Sequence, residues 1–263
     1  MGIYMWREFV MPDYLCFTAN TANSTVSLNK KWSPTSVTLE TSTDWITWNT
    51  YTIGSTITLS NIWDKVYWRN ISETDTWFGR TASSYYYFSM TWSIAWSWDT
   101  TFLINKNWTN TLGDYYFARL FQNCTSLTSA PSLPATTLWE FCYGYMFYNT
   151  SIVNAPSLSA TTLSSNWYCY QRMFGSCSLL EELPQIHATS LGVYCCNQMF
   201  SWCSKIKLST TQTWEYQTPY RIPITWTWTA ASWALLDMFT STWWTWTWTP
   251  SFETTYYTSN TVV

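Results

Sequence analysis

Glycine is scarce in this chain, with 7 among 263 residues, where ordinary usage near 7% would supply about 18. Histidine occurs once, and charged residues make up only 10% of the sequence, with Lys+Arg 12 against Asp+Glu 15 and a net charge of -3. The longest basic run is Lys30-Lys31. Phosphate backbones are bound by clustered Lys and Arg, so this balance argues against a nucleic-acid partner. No stretch approaches the roughly 18 uninterrupted apolar residues of a membrane span. Residues Met1 to Phe17 lack the basic-then-apolar order of a secretory signal. The expectation is a soluble protein with no membrane insertion and no classical export signal. Neither a phosphate-cradling glycine loop nor a serine nucleophile elbow is present, and no two cysteines have CxxC spacing.

Aromatic side chains are abundant, at 21% with 22 Trp, 19 Tyr and 13 Phe. The chain is rich in Ser, Thr and Asn, a composition of strands and turns, where glycine normally supplies positive φ. The strongest pattern is a repeat. Tyr116–Cys124, Cys142–Thr150, Cys169–Cys177 and Cys195–Cys203 align, and the pairs Leu120-Phe121, Met146-Phe147, Met173-Phe174 and Met199-Phe200 recur at steps of 26, 27 and 26 residues. Such a step lies in the range of about 20–29 typical of leucine-rich repeats. A second block, Leu127–Leu138, Ile152–Leu163 and Leu180–Leu191, runs between them.

Each unit reads as a short extended run followed by a short helix. Thr137 and Glu140 have capping-box spacing, and Leu138, Cys142 and Met146 fall at i, i+4, i+8. A single unit cannot bury its apolar face alone, so neighbouring units must stack. Ala234–Phe239 repeats the Met-Phe pair 39 residues after the last and reads as a C-terminal cap. Residues before about 100 alternate apolar and polar, as in Thr25-Val-Ser-Leu, Thr56-Ile-Thr-Leu-Ser and Lys65-Val-Tyr-Trp-Arg, the pattern of an antiparallel β-sandwich. The predicted class is α+β: residues 1–12 a tail or extension, 13–100 an Ig-like β-sandwich, and 101–263 a short leucine-rich-repeat solenoid with one strand and one helix per repeat.

The blocks APSLPATTL, CYGYMF and CTSL resemble the leucine-rich repeats of BspA-like bacterial surface proteins, in the short phage- and prophage-associated form that places a β-sandwich before the repeats. YLCFTAN, SPTSVTLE, DKVYWRN, YYYFSM and TTYYTSN extend the resemblance over most of the chain after residue 13. It implies a virion or bacterial-surface setting and a binding role. One departure has a single direction: Trp stands where that pattern carries Gly. Trp32, Trp45, Trp63, Trp77, Trp92, Trp98, Trp108, Trp167, Trp202 and Trp214 sit in turn contexts, and Thr242–Pro250 reads as a glycine-threonine run, whereas Trp48 and Trp68 lie in alternating strands. A bulky residue held left-handed costs roughly 1–2 kcal/mol, against a whole-domain stability of about 5–15 kcal/mol. The expectation is that many of these codons are UGA, read as Gly in the native host.

Eight cysteines fall largely in two repeat columns, Cys142, Cys169, Cys195 and Cys124, Cys177, Cys203. They read as small buried hydrophobes between coils; a disulfide framework or a zinc site with His187 is the competing reading. His187 reads as a surface turn residue, with no third residue to orient a Cys-His pair. Glu181 and Glu182 are adjacent and point to opposite sides of a strand, so no carboxylate pair is proposed. The Trp-Thr alternation from Trp243 to Trp248 would place an aromatic row on one strand face, suited to stacking on sugars or bases. Asn-x-Ser/Thr matches at Asn23, Asn70, Asn107, Asn123 and Asn149 are expected by chance. The reading is therefore a non-enzymatic recognition or adhesion module without cofactor. Its partner would be a protein or glycan on a cell surface, met by Ser129, Asn154, Glu182 and Lys207 in successive coils. A virion component that packs against neighbouring subunits is the alternative, and an oligomer fits either.

Overall fold

The structure, a computed structural model, describes residues 14–32, 34, 36–74, 76, 78–97, 99–107, 109–161, 163, 167–225, 231–242 and 249–263. The tail 1–12, Trp77, Trp98, Trp108 and the Trp-Thr alternation at 243–248 lie outside the described residues. The first part of the chain forms β1 (Leu15–Ala19), β2 (Ser24–Lys31), β3 (Leu39–Ser42), β4 (Asn49–Thr50), β5 (Ile57–Leu59), β6 (Lys65–Asn70), β7 (Gly79–Thr81), β8 (Ser84–Thr91) and β9 (Ile94–Ser97). They pair into a sheet ordered β4-β3-β6-β1-β9 and a second ordered β5-β2-β8-β7, all antiparallel.

The two-residue period of the sequence decides which side chains meet. In β2 Ser24, Val26 and Leu28 are buried while Thr25, Ser27 and Asn29 are half-exposed. In β6 Val66, Trp68 and Asn70 point inward. Phe17, Trp68 and Phe88 meet between the sheets with ring centroids 4.9 to 6.3 Å apart, edge to face, the arrangement that aromatic quadrupoles favour.

The α+β class is overturned: the described residues are nearly all β, and none of the four aligned segments is a helix. Among the described residues helix is confined to the 3-10 turn Thr101–Leu103 and four residues, Ala231–Ala234. The segments read as helices are runs of consecutive turns. In the second repeat Gly144, Met146 and Tyr148 donate their N–H groups three residues back, to Phe141, Tyr143 and Tyr145, at 3.1 Å each. The alternate amides leave the coil: Tyr143 donates to the Cys169 carbonyl, Tyr145 to Gln171, Phe147 to Met173 and Asn149 to Gly175, at 2.8 to 3.1 Å. An α-helix would spend all of these amides within the segment.

Every fourth residue is left-handed, with positive φ at Tyr115, Arg119 and Asn123, then Phe141, Tyr145 and Asn149, then Tyr168, Arg172 and Ser176, then Tyr194, Gln198 and Trp202. These residues reverse the chain curvature that a helix needs. Thr137, expected as a cap, lies instead in the two-residue strand β11 (Thr137–Leu138), paired in parallel with β10 (Thr111–Leu112).

Hydrogen bonds and rings register the coils. Phe88 of the sandwich stacks on Phe121 at 5.3 Å, and Phe121, Phe147, Phe174, Phe200 and Phe239 continue the ladder at 5.7, 5.7, 5.6 and 5.3 Å, all with interplanar angles of 13° or less. The Met-Phe couples thus line up along one spine, and the sandwich core runs into it without a break. Short parallel bridges close the other sides, Leu133 with Leu158 and Leu158 with Ile186. Strand β12 (Glu182–Leu183) is followed by β13 (Ser190–Leu191), β14 (Leu208–Ser209), β15 (Thr218–Arg221), β16 (Ile224–Thr225), β17 (Thr255–Thr258) and β18 (Thr261–Val262), in small sheets that include β14-β17-β15.

All eight cysteines are free and buried. Cys124, Cys177 and Cys203 each direct Sγ to the carbonyl of a ladder phenylalanine, Phe88, Phe147 and Phe174, at 2.9 to 3.1 Å. Burial pushes the Cys124 thiol up to about 12 and the Cys177 thiol up to about 11.

Five tryptophans singled out from turn contexts have left-handed backbones: Trp32, Trp45, Trp63, Trp92 and Trp202, with φ between 59° and 73°. All but Trp45 are 63% to 74% exposed. Trp202 shares its column with Asn123, Asn149, Ser176 and Ser241, residues small or polar enough for that region. Trp68 is fully buried inside β6, whereas Trp48 lies just before β4.

Candidate functional site

The four residues expected to form a ladder, Ser129, Asn154, Glu182 and Lys207, lie in different surroundings. Ser129 is half-buried beyond Leu127, which bridges to Ile94. Asn154 is exposed and follows Val153, whose carbonyl accepts the Glu181 N–H at 2.8 Å. Glu182 pairs in β12 with Thr261 of β18, so the C-terminal strand stands between it and Lys207. Asn260 clamps that seam: its Nδ2 donates to the Glu181 and Lys205 carbonyls, and its Oδ1 accepts the Lys207 N–H at 2.9 Å. Lys205 pairs with Glu181 at 2.9 Å. His187 is exposed, with Nδ1 3.1 Å from the Leu158 carbonyl. Among the described residues no three His, Cys, Asp or Glu side chains converge as metal ligands.

A different face aligns functional side chains across coils. Along one side of β8 Tyr85 is buried, Tyr87 half-exposed and Ser89 exposed, and the pairing of β8 with β2 sets Lys31 opposite Tyr85, Asn29 opposite Tyr87 and Ser27 opposite Ser89. Asn29 Nδ2 donates to Ser89 Oγ at 3.1 Å. Together with Phe88, Met90, Gln122 and Asn123, the residues Lys31, Tyr85, Tyr87 and Ser89 line a depression of 440 Å3, within the roughly 300–1,000 Å3 of small-ligand sites. It opens where the sandwich meets the first coil.

Beyond it runs one column of left-handed residues, Arg119, Tyr145, Arg172 and Gln198. The Arg119 guanidinium lies 5.6 Å from the Tyr85 ring and 4.2 Å from the Tyr145 ring, and Arg172 lies 5.6 Å from Tyr145. Lys31 Nζ also sits 5.9 Å from the Tyr85 ring. Cations and aromatic rings therefore alternate from β2 to the third coil, within the range of cation–π attraction. Gln122 Oε1 accepts from Arg119 Nη1 at 2.9 Å, and Gln198 Oε1 accepts from Arg172 Nε. The Arg119 Nε–H is buried without a hydrogen-bond partner.

A second column, Tyr115, Phe141, Tyr168 and Tyr194, stands beside the first, its members in ring contact at 5.1 to 6.1 Å. The Tyr115 hydroxyl donates to Glu140 Oε1 at 3.0 Å; burial first, and this carboxylate second, push its phenol up to about 12.

Composition concealed this surface, but the aligned repeats carried it: Arg119, Tyr145, Arg172 and Gln198 all occupy the fourth place of their segments. A run of consecutive coils turns such a column into one continuous stripe. No family model, no curated protein and no solved structure matches this chain. No helix among the described residues is long and apolar enough to cross a membrane.

Proposed function

We propose that this chain is a non-enzymatic recognition module, a BspA-like repeat protein of the phage-associated type that attaches to a protein or glycan on a cell surface. The observation that carries the reading is the stripe from Lys31 through Tyr85, Arg119 and Tyr145 to Arg172. Rigid aromatic faces and pinned guanidinium groups present contact area at low entropic cost. The backbone holding them is fixed by amides donated from coil to coil, so the surface is preorganised, which favours affinity. The seam around Asn154, Glu182 and Lys207 is a secondary contact region, since its polar groups are largely engaged with the C-terminal strand.

The test is a glycan-array and bacterial-cell binding screen of the full chain, made both with Trp and with Gly at positions 32, 45, 63, 92 and 202. The expected result is retention of a defined glycan or cell type, abolished by the triple substitution Arg119→Ala, Tyr145→Ala, Arg172→Ala. Self-assembly in solution with no glycan or cell binding would favour the packing role in a virion instead.

A further inference from the structure

We infer that the depression between Lys31, Tyr87, Ser89, Gln122 and Asn123, with the Arg119–Arg172 stripe beyond it, binds an acidic polysaccharide whose carboxylates recur on alternate sugars. This deepens the recognition reading above and rests on it. The chain as a whole is acidic, at -3, yet no carboxylate lines the depression. Among the described residues, none of Lys31, Arg119 and Arg172 pairs with a carboxylate. Three cations gathered without counter-ions on a net acidic protein are complementary to an anion.

The rest of the lining suits a sugar. The half-exposed Tyr87 offers a ring for the apolar C–H side of a pyranose, with the buried Tyr85 beneath as support for Lys31 and Arg119, and Ser89, Gln122 and Asn123 offer hydroxyl and amide groups for its hydroxyls. Spacing separates a glycan from a nucleic acid. Arg119 and Arg172 lie in coils two steps apart, on the order of 10 Å at the spacing of hydrogen-bonded neighbouring chains. A glycan charged on every second sugar places its carboxylates at a comparable interval. Along the axis of a duplex each nucleic-acid strand carries a phosphate about every 3.4 Å, about three times more densely than the stripe can neutralise.

The experiment uses the full chain and affinity electrophoresis, with calorimetry for dissociation constants. The probes are hyaluronate, which bears a carboxylate on alternate sugars, its carboxyl-reduced neutral form, and a DNA duplex of matched total charge. Hyaluronate should retard the protein, and the reduced form should bind at least tenfold more weakly. Lys31→Gln, at an exposed strand end, and Tyr87→Ala should each weaken binding at least fivefold with an unchanged melting temperature. Glu215→Gln, in an exposed bend outside the depression and the stripe, should leave binding as it is. Equal binding of the neutral form, tighter binding of the duplex, or indifference to Lys31→Gln would overturn the inference. Failure of hyaluronate alongside retention of other glycans or cells overturns it while the recognition reading stands; failure of every glycan and every cell type removes both.

Discussion

The sandwich and the coil stack both hold residues in the left-handed region, and they handle the strain differently. In the sandwich the strained residues are solitary and sit at corners between strands: Asn23, Trp32, Trp45, Trp63 and Trp92. Trp32, Trp63 and Trp92 are 65% to 74% exposed, so little burial offsets the backbone cost. In the stack the strained residues are periodic, and their side chains are in contact. Tyr168 stacks on Tyr194 at 5.1 Å, Arg119 lies on Tyr145, and Asn149 Nδ2 donates to Asn123 Oδ1 at 3.0 Å. The same backbone conformation is thus borne by solvent-exposed side chains at Trp32, Trp63 and Trp92 and is the foundation of a surface at Arg119, Tyr145 and Arg172.

The largest effect should come from cutting the spine that joins the regions. Phe147→Ala removes a fully buried ring with stacked neighbours on both sides. It should cost about 3–5 kcal/mol in urea unfolding. Phe88→Ala, at the junction, should separate sandwich and stack into two transitions; one unbroken transition would show that the shared ladder does not couple them.

Alkali should distinguish the regions next. The raised thiols of Cys124 and Cys177 belong to the stack. A thiol that stays protonated when folded but ionises when unfolded contributes fully below its ordinary value of 9.0. Its contribution falls as pH rises from about 9 toward the folded values of about 11 to 12, by at most about 1.4 kcal/mol per pH unit for each thiol. Cys124→Ala with Cys177→Ala should flatten that alkaline slope in pH-resolved melting; an unaltered slope would contradict it.

Glycine substitutions should then give opposite signs. Trp32→Gly, Trp63→Gly and Trp92→Gly should each stabilise by about 1–2 kcal/mol, because glycine adopts positive φ freely. Tyr145→Gly, which loses contact with Arg119, Arg172 and Tyr148, should destabilise. Intact mass of the protein from its own host would show whether glycine already occupies the tryptophan positions, and Trp there would end that reading. The smallest effect is expected at the exposed Lys205–Glu181 pair: Glu181→Gln should change stability by less than about 1 kcal/mol and less still in high salt.

The sequence carried the sandwich strands because alternation such as Thr25-Val-Ser-Leu has no second interpretation. It carried the coil register because aligned Met-Phe couples must stack to be buried. The class of the repeats was lost at Leu138, Cys142 and Met146. A spacing of four suits one face of a helix, but it equally suits successive four-residue turns with one left-handed residue each. Glycine would have signalled those turns, yet Phe141, Tyr145 and Asn149 occupy the positive-φ places and Gly144 does not. The separation of Glu182 from Lys207 was hidden because the insertion of β18 depends on residues Thr261–Val262, far along the chain. The Tyr–Arg stripe was present in the aligned fourth positions but became visible only once the turns put that position outward.

The central claim is that the repeats are turns bonded from coil to coil, and scalar coupling across hydrogen bonds tests it directly. In a deuterated, isotope-labelled sample, the Phe147 amide nitrogen should correlate with the carbonyl carbon of Met173, its acceptor at 2.9 Å in the next coil. A correlation from Phe147 to the carbonyl of Tyr143, four residues back in the same segment, would mean a helix and contradict the account.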